Sequence, residues 1–66
     1  MRVTVNGEVR DLAEGATVAD VVRQLAAAPH GIAVARNDQV VPRGNWAGTV
    51  LADGDRVEVL TAVQGG

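Results

Sequence analysis

The chain contains no cysteine, which excludes a disulfide framework, a cysteine-ligated zinc site and an iron–sulfur cluster. It also excludes a thiol nucleophile on any side chain. Lysine is absent too: all six positive charges are arginine, so copies of the chain cannot be linked to one another through side-chain isopeptide bonds. The single histidine, His30, follows Pro29 with no second histidine near it. It reads as a surface loop residue rather than a ligand, and no metal site is expected. A net charge of −2 offers no basic stripe for nucleic acid. The longest apolar runs, residues 25–28 and 31–35, are far too short to cross a membrane. Residues 1–5 read as a strand, not as the start of a signal peptide. The expectation is a cytoplasmic protein that binds neither nucleic acid nor membrane. Asp53 and Asp55 come nearest to an acid/base pair, but Asp-Gly-Asp before a strand is ordinary turn chemistry. Asp11 and Asp38 likewise read as strand-end and turn residues.

What is present suits one small domain. The 66 residues are 47% apolar, and a chain of this length buries only about 60% of its unfolded surface. Residues 1–6 alternate, with Met1, Val3 and Val5 on one face, as in a half-buried strand. Asn6-Gly7 is the strongest short hairpin signal and returns the chain through residues 8–12. There the alternation falters: Val9 and Leu12 lie on opposite parities, which predicts either a bulge or a strand that ends early. Thr17 with Asp20 three residues on resembles a capping box, Asp replacing the usual Glu. Val18, Val21, Val22, Leu25 and Ala26 then recur at helical spacing, and Pro29 ends the helix. Residues 31–36 are apolar on both faces, as in a central strand. Asn37-Asp38 turns the chain into a short return strand over residues 39–41, closed by Pro42. Residues 43–48 are irregular and hold the lone aromatic residue, Trp46. Val50 and Leu51 make a brief apolar contact. Asp53-Gly54-Asp55 is a turn, and residues 56–61 form the last strand, with Val57, Val59 and Thr61 on one face.

Strand, strand, helix, strand, short strand, strand is the order of a β-grasp (ubiquitin-like) roll. The fold class expected is α+β, with a mixed four- to five-stranded sheet and one main helix. The crossover helix lets the first and last strands lie parallel at the centre of the sheet. Residues 1–66 then form a single domain, and the tail 62–66 leaves directly from a central strand. That tail, Ala62-Val63-Gln64-Gly65-Gly66, ends in two residues without side-chain bulk, suited to threading a narrow channel. Its terminal carboxylate is usable chemically if an enzyme activates it.

Asn6-Gly7, Thr17-Val18, the run Asn37-Asp38-Gln39-Val40-Val41-Pro42-Arg43, Trp46-Ala47, Asp53-Gly54-Asp55 and Gly65-Gly66 together resemble the ThiS family, the sulfur carriers of thiamin biosynthesis. The resemblance covers the whole chain. It implies a carrier with no catalytic residues and no bound cofactor, on which partner enzymes act. A ubiquitin-activating-type enzyme would consume ATP to adenylate the carboxylate of Gly66. A persulfide sulfur donor would displace AMP to leave a thiocarboxylate. A thiazole synthase would take that sulfur for the thiazole ring. Gly66 would carry the adenylate and then the sulfur, while Gly65, Gln64 and Val63 would give access. The chemistry fits the composition, since a thiocarboxylate is anionic near neutral pH and needs no neighbouring base.

Three further residues stand as candidate partner contacts. Leu60 points away from Val57 and Val59, beside the tail on the open face, where apolar anchors carry interface energy; a lone exposed leucine is also ordinary. Trp46 is either a structural lid or a contact. Arg43 either braces its loop or meets a partner carboxylate. Other functions sharing this architecture are the small subunit of molybdopterin synthase, with the same thiocarboxylate chemistry, and a ubiquitin-like protein modifier or interaction module.

Overall fold

The first strand, β1 (Arg2–Val5), buries Val3 and Val5 and turns Arg2 outward. The computed structural model describes residues 1–25 and 31–61. Asn6 and Gly7 follow with φ of 51° and 81°, the paired positive angles of a type I′ turn whose twist matches that of a hairpin. The returning strand, β2 (Glu8–Asp11), pairs in unbroken antiparallel register from Val5↔Glu8 to Arg2↔Asp11. Of the two outcomes left open for this stretch, the strand ends early and carries no bulge. The faltering alternation has a physical cause: Arg10 stands opposite Val3 on the core face, and Val9 is 63% exposed on the other. β2 is an edge strand, so Arg10 can cover the core margin with its stem while its guanidinium reaches Glu8 at 3.3 Å.

The helix α1 (Val18–Leu25) starts at a true capping box. Thr17 N–H donates to an Asp20 carboxylate oxygen at 2.9 Å, and Asp20 N–H donates to Thr17 Oγ1 at 3.3 Å. Hydrogen bonds from Thr17 and Arg23 hold the Asp20 carboxyl below its ordinary pKa. Val18, Val21 and Val22 are buried as expected, whereas Leu25 is 37% exposed. Ala26, the stop at Pro29, His30 and the tail 62–66 lie outside the described residues.

β3 (Ile32–Arg36), β4 (Gln39–Val40) and β5 (Arg56–Thr61) complete a five-stranded sheet in the order β2-β1-β5-β3-β4. β5 is central, parallel to β1 and antiparallel to β3. The roll expected from the element order is therefore the fold observed. β3 is an inner strand, but its second face is not covered: Val34 is buried while Ala33 on the opposite face is exposed. Val3, Val5, Val34, Val57 and Val59 meet Val18, Val21, Val22, Trp46 and Leu51 in one core between sheet and helix. The segment 43–48 includes a single 3₁₀ turn, Arg43–Asn45. Leu51 is 4% exposed and anchors the loop, whereas Val50 bridges Thr17 and is 56% exposed.

Asp55 is the one buried charged or polar residue among those described, 7% exposed. Its carboxylate accepts from Arg36 Nε at 2.8 Å, Asn37 Nδ2 at 3.0 Å and Ala52 N–H at 2.8 Å. Burial pushes this carboxyl up, but the Ala52, Asn37 and Arg36 donors outweigh it and hold the carboxyl below its ordinary range. A group with a depressed folded pKa stabilises the fold above the unfolded value, about 3.9 for Asp, and that stability is lost as pH falls through the folded value.

Two outcomes follow for stability. Asp55→Asn should lower the unfolding free energy by about 2 kcal/mol at pH 7, since it breaks a buried charge-assisted set. The deficit against wild type should shrink as pH drops below about 4, measured by urea unfolding followed through Trp46 emission. Thr17→Ala should cost about 1 kcal/mol through loss of the helix cap, with a weaker pH dependence of its deficit, since the main-chain N–H of residue 17 still holds the Asp20 carboxylate.

Candidate functional site

β5 delivers the chain to its tail, so its surroundings define what a partner meets. On its β1 side the parallel register runs only through Thr4↔Arg56 and Val5↔Val57. Asn6 N–H then donates to Val57 O at 2.9 Å. One rung further, the Asn6 side chain takes over: Oδ1 accepts Val59 N–H at 2.8 Å and Nδ2 donates to Val59 O at 3.2 Å. On the other side β3 pairs with β5 from Arg36↔Val57 to Ile32↔Thr61. At the beginning of β5, Asn37 N–H donates to Arg56 O at 2.7 Å and Asn37 Oδ1 accepts Arg56 N–H at 2.9 Å. The Arg56 guanidinium pairs with Asp38, whose carboxylate raises its pKa. The root of the tail is thus held on both sides by backbone and amide groups.

The face of β5 away from the helix carries Leu60, 68% exposed, and Glu58. Leu60 is in register with Ala33, Glu58 with Ala35, and Ala35 with Val40, itself 77% exposed. These side chains line a shallow depression of about 150 Å³. It is an apolar surface with one carboxylate at its margin.

Trp46 lies elsewhere. Its indole is 6% exposed within the core, and Nε1 donates to Val41 O at 2.9 Å. Its carbonyl accepts Ala19 N–H at 3.1 Å, fixing the loop to α1. So little of the ring is exposed that it offers a partner almost no surface. Arg43 is exposed at the start of the 3₁₀ turn, where its carbonyl accepts Trp46 N–H at 3.2 Å. Of the three candidate contacts, only Leu60 joins a continuous apolar patch. Val63, Gln64, Gly65 and Gly66 lie outside the described residues.

Five residues of this region have roles that the sequence pattern does not reveal. Val40, Ala33 and Ala35 join Leu60, a grouping that needs the strand register to be seen. Asn6 was legible as a turn residue but not as a partner of Val59, 53 positions away. Asp55, a turn residue by its sequence pattern, is a buried hub. A larger cleft of about 490 Å³ lies between α1 and the loop before it, bordered by Asp11, Glu14, Asp20 and Arg23. It borders none of the candidate residues. Among the described residues, no group of His, Cys, Asp and Glu could hold a metal ion, and no helix is long and apolar enough to cross a membrane.

Comparison with known proteins agrees with the fold and with the resemblance. A sequence model of the ThiS family matches residues 3–66. The chain is 35% identical over 66 residues to the sulfur carrier protein ThiS of Escherichia coli, with 100% of both chains covered. It is 36% identical over 66 residues to a thiazole synthase of Magnetococcus marinus, matching all of this chain and 20% of that one. The crystal structure of a thiamine biosynthesis protein (ThiS) from Geobacter metallireducens is similar with a TM-score of 0.82, at 33% identity and 100% coverage of both chains.

The two faces of β5 should respond oppositely to substitution. Leu60→Ser should shift the unfolding free energy by less than about 0.5 kcal/mol, as for an exposed site. Val57→Ala, on the core face, should cost about 2 kcal/mol. Denaturant titration of both variants checks the pair.

Proposed function

The chain belongs to the ThiS family and is a sulfur carrier of thiamin biosynthesis, and from that premise we propose that the sulfur rides on the terminal carboxyl of Gly66. The observation that carries this reading is that the family match runs to residue 66 and so includes Gly65-Gly66. A carboxylate is a poor acyl donor because oxide is a poor leaving group. Attack of a Gly66 carboxylate oxygen on the α-phosphorus of ATP expels pyrophosphate and makes a mixed anhydride with AMP. The terminal sulfur of a persulfide then attacks the acyl carbon and AMP leaves. A thiol cleaves the resulting acyl disulfide, releasing the thiocarboxylate and leaving a disulfide on the donor. None of these steps asks a side chain of the carrier for a proton or a nucleophile. That suits a chain with no cysteine, in which Asp55, the one buried carboxylate among the described residues, is engaged by three donors.

The catalytic groups therefore belong to partners: an adenylating enzyme of the ubiquitin-activating type, which consumes the ATP, and a persulfide donor. The third partner is a thiazole synthase. Its support is that one protein of that name contains, in 20% of its length, a segment similar to all of this chain. The patch of Leu60, Val40, Ala33 and Ala35 is the surface we assign to the adenylating enzyme, since a buried apolar anchor beside the tail would hold Gly66 in register with the nucleotide. Gly65 lets the tail pass a constriction that a side chain would block. The site of action is the cytoplasm, where ATP is available.

The test is mass spectrometry of the carrier after incubation with ATP, a sulfur donor and the adenylating enzyme. The expected result is exchange of one oxygen for sulfur, localised to the fragment containing Gly66 and trapped by alkylation of the thiocarboxylate. Localisation matters, because oxidation of Met1 or Trp46 adds nearly the same mass. A chain lacking Gly66 should fold normally and stay unmodified. An unmodified Gly66 with a demonstrably active partner would overturn the assignment.

A further inference from the structure

A type I′ turn needs only a residue that tolerates positive φ, and Asn-Gly is a common solution. Asn6 does more than satisfy the turn. With β1 finished at Val5, the next backbone group of β5 on that side would face water. The Asn6 amide supplies both an acceptor and a donor there, meeting the N–H and the C=O of the same residue, Val59, at 2.8 and 3.2 Å. A planar amide has one of each at fixed separation. Glycine would keep the turn and lose both bonds, and aspartate would set a carboxylate oxygen against the Val59 carbonyl. Val59 is also the last residue of β5 whose side chain is buried, at 7% exposed. Leu60 and Thr61 beyond it are exposed.

We propose that Asn6 is a positioning residue for the carrier's reaction: its side chain stands in for a missing strand rung at Val59 and fixes the direction in which β5 hands the chain to the tail. The inference rests on the reading that Gly66 is the reacting terminus. Held on both sides at Val59, β5 leaves the sheet in one direction; held there by β3 alone its end samples more directions, and a partner must spend binding free energy to order it. Fraying at Val59 reduces the fraction of carrier whose tail is aimed correctly, and apparent affinity falls by that fraction. Chemistry at the carboxyl, once the tail is seated, is unchanged.

The experiment compares Asn6→Gly with wild type and with Thr17→Ala, which removes the cap of α1 and leaves the Asn6–Val59 bonds alone. Amide hydrogen exchange is read by NMR, and steady-state adenylation is read with the carrier as the varied substrate. In Asn6→Gly the Val59 amide should exchange about tenfold faster or more. The Thr4 and Asn37 amides, bonded to Asp55 O and Arg56 O, should change far less. The KM for the carrier should rise about three- to tenfold with kcat within about twofold, the pattern of lost uniform binding. Thr17→Ala should keep the wild-type KM at a temperature where it is folded. An unchanged Val59 exchange rate, an unchanged KM, or an equal rise in KM with Thr17→Ala would each overturn the proposal. Failure of wild-type carrier to be adenylated at Gly66 is a separate result: it removes the reading on which this inference rests.

Discussion

A sheet whose first and last strands lie side by side at its centre is closed by contacts between residues about fifty positions apart. Here those contacts are few and polar. Asp53 accepts Arg2 N–H at 2.6 Å, Thr4 N–H donates to Asp55 O at 2.9 Å, and Asn6 grips Val59. The parallel pairing between β1 and β5 covers only two residue pairs, too short a ladder to be self-sufficient. Its ends are therefore fixed by side chains, the Asp53 carboxylate on Arg2 ahead of β5 and the Asn6 amide near its exit. The core follows from this closure, because Val57 and Val59 face the helix only when β5 is seated in this register.

Most of that architecture was legible where the sequence repeats a physical period. Val3 and Val5, the Asn6-Gly7 turn, the Thr17–Asp20 cap and the valines of α1 all behave as their spacing implies. Legibility failed where one residue serves two purposes. Arg10 sits on the core side of an edge strand and so breaks an alternation that an apolar residue would have kept. Asp55 belongs to a turn motif indistinguishable in sequence from its exposed neighbour Asp53. Its burial depends on Arg36, Asn37 and Ala52 converging on it. The patch around Leu60 was half visible, because small apolar residues on both faces of β3 do not reveal which face the helix will cover.

The proposed reactive group calls for a different kind of reading. A carrier whose working atom is its own main-chain terminus needs no constellation of side chains, so what the sequence lacks is as informative as what it contains. Catalysis then depends on presentation. In the proposed reaction the two-sided hold on β5 and the apolar patch beside it would set where the terminus can reach, and the helix face and the open face would keep folding and docking on separate sides of one strand. Trp46 and Leu60 mark those two sides.

The sheet ends in two poor edges. β4 is two residues long and is followed closely by Pro42, and β2 is four residues with Glu8, Arg10 and Asp11 along it. A sulfur carrier is reloaded after each delivery, so copies of it are repeatedly free of their partners and meet one another. Crowding raises the danger of edge-to-edge strand addition between copies, above all for a molecule with an uncovered apolar face. Short, charged and proline-stopped edges oppose that addition, so one small domain can carry an uncovered apolar face without inviting strand exchange.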